Sequence, residues 1–418
     1  MRKRINRSIL SVTLVIFSTT TLFSQVTTAT LTGIVKNKKN DALSNATVNV
    51  QFAEAGIQLN VLANAAGQFT IPNLRVGGPY KITASYVNYE TRSVDSVYME
   101  LGQNNFVELI LEEKAKEMSG IVVTATASQA AVKKTGASTN ISNRLITDLP
   151  TISRSADDYL RLTPSASPTY NGMSFAGRNG QYNNFSLDGA VFNNPFGLDA
   201  PTPGGQSNAQ PISLDAIDQI QVNVAPYDLT QAGFTGAGVN TVTKSGTNTT
   251  HGTVFGFFRN EALTGKNVSG TKLVVPTLTD VQAGFSLGGA IIKNKLFYFA
   301  NFETQQRQDE ATSYVARNSS NAGESNTTRV LESDLQSVSD ILKQRFGYET
   351  GPYQGFTHDQ VSYKWLAKLD WNINNVHKLT FTYNGLDAYL DKPAHPSAIG
   401  RRGPDYYTLN FRTPATGS

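Results

Sequence analysis

The side chains able to do chemistry are few, and their spacing does not suit it. The four histidines, His251, His358, His377 and His395, stand far apart. No pair has the His-x-x-x-His spacing that brings two imidazoles to one metal. The chain has no cysteine, so it offers no thiolate metal site, no disulfide framework and no cysteine for N-terminal lipidation. Neither a Gly-x-Ser-x-Gly elbow nor a phosphate loop occurs. Gly236-Ala237-Gly238 opens like a dinucleotide fingerprint but lacks the third glycine at the required spacing. Asp188, between Leu187 and Gly189, invites reading as a catalytic acid; its setting predicts instead that it caps its own turn through the backbone. Triplets such as Asn184-Phe185-Ser186 follow from composition and do not mark glycosylation. The expectation is a protein that is not an enzyme and holds no metal and no cofactor.

The elements around Asp188 explain its setting. Residues 171–244 combine short apolar runs with Gly- and Asn-rich turns. Strands are predicted at 185–187, 220–224 and 239–243. Asp188-Gly189 and Lys244-Ser245-Gly246 are the expected positive-φ turn positions. Ser155, followed by Asp157 and Asp158, reads as a helix N-cap with acidic residues in the first turn. Tyr159, Leu160 and Leu162 are expected to face a core, and Pro164 to end the helix. The loop Phe192-Asn193-Asn194-Pro195-Phe196-Gly197 carries aromatics that either meet a ligand or pack on a neighbouring wall.

Upstream, residues 1–24 have the parts of a secretory signal. Arg2, Lys3, Arg4 and Arg7 precede an apolar run of nine residues, 9–17, too short to span a bilayer at ~20 residues. Cleavage is expected near Ser24-Gln25, with Ala29 as the alternative. Those four basic residues carry the whole excess of 36 Lys and Arg over 32 Asp and Glu. Net charge therefore gives no reason to expect a nucleic-acid partner. Residues 29–112 hold short strands at 31–35, 46–50, 68–71, 80–84 and 107–111, separated by turn signals, as in a β-sandwich. Residues 113–130 read as a linker with one β-prone run, 120–126, between charged flanks. That run also reads as a last strand of the sandwich.

Beyond residue 250 strict period-two alternation appears. Val281, Ala283, Phe285 and Leu287 alternate with Gln282, Gly284 and Ser286. Tyr363, Trp365, Ala367, Leu369 and Trp371 alternate with Lys364, Lys368 and Asp370, and Leu366 breaks the polar side. Leu379, Phe381 and Tyr383 continue the pattern, as do Tyr407, Leu409 and Phe411. Lipid on one face and a wet lumen on the other ask for this pattern. Lys293-Asn294-Lys295 and Asn374-Asn375 are tight turns, whereas 260–280, 306–362 and 386–404 are long connections. Charged residues are only 16%, against the ~25% usual for soluble domains. No stretch after the signal approaches 18 apolar residues, so membrane insertion is expected by strands alone.

Taken in order, these motifs resemble the plug of TonB-dependent outer-membrane receptors. The matching positions are Arg178, Asn184, Leu187-Asp188-Gly189, the run 217–222, Pro226, and Gly238, Asn240 and Lys244 in the closing strand. Asn179 departs from the family's Arg-Gly, Ala225 from its Gly-Pro, and Ala237 from its Gly-Gly. Residues 31–35, 42–48 and 66–71 resemble the carboxypeptidase-regulatory-like domain that often precedes such plugs. The 306–362 loop and the 193–197 context are similar to the Oar-like branch. The resemblance implies a mainly β chain: an N-terminal β-sandwich, an α+β plug over 131–250, and over 251–418 the first strands of an antiparallel transmembrane β-barrel. Six strands would leave that barrel incomplete, and the chain reads as a fragment.

The resemblance also implies a function and partners. Ile121, Val122, Val123 and Thr124 resemble the TonB box, the segment grasped by the TonB-type inner-membrane energy-coupling complex. Asn193, Asn194 and Phe196 are the candidate ligand contacts. The expected function is energised uptake of a large or scarce extracellular ligand (siderophore, glycan or peptide). The expected location is the outer membrane, against its lipid, with the sandwich in the periplasm. A surface adhesion or protein-export component on the same scaffold is the alternative, and a soluble secreted β-protein the third reading.

Overall fold

The computed structural model describes residues 26–114, 137–151, 153–169, 172–194, 201–226, 231, 233–272, 275–311, 314–322, 327–374, 377–393 and 410–417. The expected signal segment, the run 121–124, Phe196, Tyr407 and Leu409 lie outside them.

Seven strands build the first unit: β1 (Thr28–Asn37), β2 (Thr47–Phe52), β3 (Ile57–Leu62), β4 (Gln68–Arg75), β5 (Gly77–Ser85), β6 (Arg92–Met99) and β7 (Asn104–Leu111). They form two sheets, β4-β1-β7 and β3-β2-β5-β6. In β1 every second residue is buried, as an alternating strand on a core demands. Leu31, Val35, Val48, Val50, Tyr80, Ile82 and Leu109 meet between the sheets. The sequence pattern shows five of these strands and misses β3 and β6. In β6 a register shift lies beside Ser96, which has a φ of 60°. The irregularity puts Val94 and Val97 three apart and breaks the period of two.

The second unit begins with β8 (Ala137–Ser142), α1 (Asn143–Asp148), α2 (Ala156–Leu160), β9 (Ala166–Thr169) and β10 (Gly172–Phe175). It continues with β11 (Asn184–Leu187), β12 (Ala190–Val191), β13 (Ile217–Ala225) and β14 (Gly238–Thr243). Five of these strands pair in the order β12-β11-β14-β13-β8. Ser155 caps α2 as expected, accepting from the Asp157 N–H at 3.0 Å. Tyr159 and Leu160 are buried, but Leu162 is 45% exposed. The helix stops at Leu160, so Leu162 no longer follows its core-facing stripe. Asp188 and Gly189 do take positive φ, 47° and 87°, and join β11 to β12 as a two-residue hairpin. No positive φ occurs at Lys244, Ser245 or Gly246. Gly246 is needed for closeness instead: a Cβ there would lie 2.3 Å from the Gly289 carbonyl oxygen and 2.4 Å from that of Tyr298.

The third unit is an open antiparallel meander, β15 (His251–Asn260), β18 (Leu278–Ile292), β19 (Leu296–Glu310), β22 (Thr357–Asn372), β23 (Lys378–Pro393) and β24 (Asn410–Gly417), paired in that order. Its long connections carry the short strands β16 (Asn267–Val268), β17 (Thr271–Lys272), β20 (Val315–Arg317) and β21 (Thr327–Leu331), and helix α3 (Glu332–Phe346). One expected boundary moves: β23 continues to Pro393, so 386–393 is strand and not loop. The last described strand starts at Asn410, and the rest of the alternation read at 406–411 lies outside the described residues.

The wall has inverted polarity. Phe285, Leu287, Leu369, Trp371, Phe381 and Tyr383 face outward and are exposed, whereas Gln282, Ser286, Asn301, Glu303, Lys364 and Lys368 are buried on the inner face. The break in the pattern has a cause. Leu366 is 2% exposed and packs with Phe299 into the core of the second unit, beside Ile220, Val222 and Leu160. Truncation to Leu366→Ala is expected to cost ~2–4 kcal/mol, the usual range for emptying a buried leucine site. The outward Leu369→Ala should cost far less in the same urea unfolding series in micelles. Equal costs would show that the inner face does not hold the second unit.

Candidate functional site

The second unit sits on the inner face of the wall and is fixed there by buried polar groups. The first contact centres on Asp188. Its carboxylate accepts from the Thr243 N–H at 2.8 Å and the Thr243 hydroxyl at 2.6 Å. From the wall, the Thr382 hydroxyl donates to it at 3.2 Å, and Lys368 Nζ lies 3.4 Å away. Lys368 also donates to the Thr243 hydroxyl and carbonyl, at 3.0 and 3.2 Å. Asp188 therefore does not cap its own turn. Its hairpin holds the carboxylate against the end of β14, and β22 and β23 approach from the other side.

A second contact lies deeper. Glu303 on β19 is fully buried and faces Lys364 on β22 across the strand pair. Lys364 Nζ lies 2.6 Å from Glu303 Oε1, which also accepts from Gln282 Nε2 at 2.8 Å. The other oxygen, Oε2, accepts from the Ser213 hydroxyl of the second unit at 2.6 Å. A buried carboxylate needs all of its acceptor sites used, and three donors from three elements supply that here.

Four further contacts frame these. Asp215 meets Lys244 at 3.5 Å and the Thr253 hydroxyl of β15 at 2.7 Å. Burial works against its charge, but Lys244 and the hydroxyls of Ser286 and Thr253 prevail and hold the carboxyl below its ordinary range. Arg154 stacks between Phe255 and Phe257, 4.4 Å from each ring centroid. Gln360 and Asn384 donate from the wall to the carbonyls of Asn208 and Pro211.

The other motif residues divide plainly. Asn184 is buried, and Leu187 packs in the core. Asn240 accepts from the Ser186 hydroxyl at 2.8 Å and donates to the Val26 carbonyl. Gly238 opens β14 and Pro226 follows β13. Among the described residues Arg178 pairs through its backbone, its N–H reaching the Phe175 carbonyl at 2.9 Å, and its side chain is exposed. Asn193 is committed to structure: it accepts from the Phe185 N–H at 2.7 Å and donates to Asn184 at 2.9 Å. The Asn194 N–H bonds the Pro201 carbonyl.

Two spaces adjoin these groups. Beside Phe192 a crevice of about 290 Å³ runs past Phe185, Met173, Asp157, Arg161 and Gln210. Burial pushes the Asp157 carboxyl up, with the Gln210 amide pulling the other way. A larger space of about 620 Å³ opens where all three units meet, lined by Arg75, Asp188, Asp218, Lys368 and Asp370. No group of three metal-ligating side chains occurs among the described residues.

Sequence reasoning missed Glu303, Lys364, Lys368, Ser213 and Gln282 as contact residues. It read the lysines as lumen-facing and wetted. One signal was available: Glu303 closes an aromatic run at a core-parity position, and such a charge needs a partner on the next strand.

Comparison with known proteins follows this geometry. Residues 242–413 match the family Outer membrane beta barrel domain, and residues 30–112 match Carboxypeptidase regulatory-like domain. The chain is 27% identical over 239 residues to the TonB-dependent transporter Oar of Myxococcus xanthus, covering 56% of this chain and 21% of that one. The chain thus spans about a fifth of the length of that curated relative. Similar solved structures include the outer membrane transporter YddB from Escherichia coli, at 14% identity and a TM-score of 0.42, covering 61% of this chain and 33% of that one. Another is the ferric enterobactin receptor PfeA of Pseudomonas aeruginosa, an R480A mutant with enterobactin, at 16% identity and a TM-score of 0.39, covering 62% and 34%.

Proposed function

This chain belongs to the TonB-dependent outer-membrane receptors, and from that premise we propose that it takes part in energised uptake of a ligand too large or too scarce for porin diffusion. A siderophore, a glycan and a peptide all fit that description. The supporting observation is the wall itself: an apolar outer face suited to lipid, and an inner face whose buried charges hold a separate plug. In this reading the TonB-type complex engages Ile121, Val122, Val123 and Thr124, and the plug shifts against the wall. The sandwich bonds the wall beside a short turn, at Asn372, which supports a periplasmic sandwich, since short turns of such barrels face that side. The crevice beside Phe192 is where a ligand reaching the plug meets aromatic walls and the Asp157 carboxyl. Asn193 supports that crevice from behind, since its side chain is spent on Phe185 and Asn184.

An uptake and growth-rescue screen of candidate ligands, in cells lacking this protein, tests the reading. One ligand should accumulate only when the protein is restored and the inner-membrane proton-motive force is intact. Accumulation that survives collapse of that force would refute energised transport. A phenotype confined to adhesion or secretion would favour the same scaffold in a non-transport role.

A further inference from the structure

We infer that the N-terminal sandwich is a releasable staple, holding the plug to the rim of the wall by covering an amide-lined face of the plug sheet. Its purpose rests on the transport reading above; its geometry does not. Ser186, Asn240, Gln221 and Asn140 stand side by side across β11, β14, β13 and β8, with Gln219 two residues along β13. Neighbours of opposite parity, Ile220, Val222 and Ile141, fill the plug core. The sheet thus has one apolar face and one amide face, and Gln219, Gln221 and Asn240 on the amide face are buried.

The sandwich does the covering. The Leu101 N–H donates to Gln219 Oε1 at 2.8 Å, and Gln219 Nε2 donates to the Met99 carbonyl at 3.0 Å. Gln221 and Asn140 both donate to the Leu101 carbonyl, at 2.9 and 3.2 Å. Gly102 lies so close that a Cβ would sit 2.6 Å from Gln221 Oε1. The same unit also grips the wall. Arg75 donates to the Ser245 and Gly246 carbonyls, both at 3.1 Å, on the segment linking plug to wall. Asn248 bonds the Glu54 and Ala53 carbonyls, at 2.7 and 2.8 Å. Asn372, beside a short turn of the wall, donates to the Ala55 carbonyl at 3.3 Å. Plug, connector and rim are held by one body, so the plug cannot slide along the wall while the sandwich is docked.

The chemistry of the joint suits release. Most of its bonds run between amides or a guanidinium and backbone carbonyls, with Asn140 also donating to the Glu100 carboxylate at 3.3 Å, and water replaces them with little net loss. Gln221 Oε1, Asn140 Oδ1 and both polar atoms of Gln103 lack a partner among the described residues, and undocking would hydrate them. By contrast, the Glu303–Lys364 contact leaves buried charges if opened on one side only.

These 418 residues hold no cysteine, so thiol labelling tests the joint, on the protein in outer-membrane vesicles with any cysteine outside these residues replaced by serine. Gln221→Cys should react slowly with a water-soluble maleimide. Adding Arg75→Ala, Asn248→Ala and Asn372→Ala, which leave the amide face itself intact, should raise the rate about tenfold or more, as loss of several such bonds implies. Ile220→Cys, on the core face of the same strand, should stay slow in both backgrounds. Fast labelling of Gln221→Cys without the three changes overturns the proposal, as does no acceleration with them. Equal acceleration of Ile220→Cys also overturns it, because the plug would then be unfolding. The assay needs neither ligand nor energy source, so failure of the transport reading would not alter its outcome.

Discussion

Glu303→Ala is expected to loosen the plug from the wall and to cost about 3–5 kcal/mol, the range for removing one partner of a buried ion pair. Lys364 is only 3% exposed at its side chain and would stand in a site stripped of its counter-ion. The Ser213 hydroxyl and the Gln282 amide would lose their acceptor at the same moment. Ser213 precedes the turn Leu214–Ala216 that leads into β13, so the loss reaches an interior strand of the plug sheet. The double change Glu303→Leu with Lys364→Met should recover most of the stability, because an apolar pair of similar volume needs no partner. Urea unfolding and trypsin cleavage after Lys244 provide the readouts. A single mutant as resistant as the parent would mean that the wall charge is solvated and does not hold the plug.

Val123→Pro is expected to abolish uptake while leaving export, plug folding and ligand binding intact. β-branched residues dominate Ile121, Val122, Val123 and Thr124 and favour an extended chain. Such a segment can add to a partner's sheet edge mainly through backbone hydrogen bonds. Proline deletes one donor and restricts Val122 as well. The run lies between Lys114, bonded to Asn88 of the sandwich, and Ala137, where β8 pairs with β13. The described strands of both units pair without it. Normal energised uptake by the variant, or a destabilised sandwich, would place the partner-binding segment elsewhere.

What could be read from the sequence depended on whether a residue's neighbours lay close in the chain. The alternation of Val281 to Leu287 and Tyr363 to Trp371 gave the wall, because a strand's faces are set by parity alone. The Asp188-Gly189 turn was legible because its positive φ values are a local demand. The partners of Asp188 were not: Thr243, Lys368 and Thr382 come from three distant strands. Leu366 shows the same limit. Parity assigned it to water, and only the plug core lying against that face explains why leucine stands there. Gln219 and Gln221 fall under the same limit, since nothing in β13 shows that another unit covers them. The β6 strand was hidden by its irregularity at Ser96, which no local pattern announces.

The meander of the wall sets an order of assembly. Each of its strands pairs only with its sequence neighbours in the described sheet, and the β18–β19 and β22–β23 hairpins close over short turns at small entropic cost. In the joint between sandwich and plug, the bonds of Gln219 and Gln221 bring together residues 118 to 120 apart, and the Asn372–Ala55 bond residues 317 apart. Loop closure makes such contacts the slowest to form, and they need both surfaces finished first. Hairpins should therefore gain protection from hydrogen exchange early, and the amide-faced joint late. During biogenesis the plug would then meet its wall before anything holds the two in register, and the buried charges alone would have to find it.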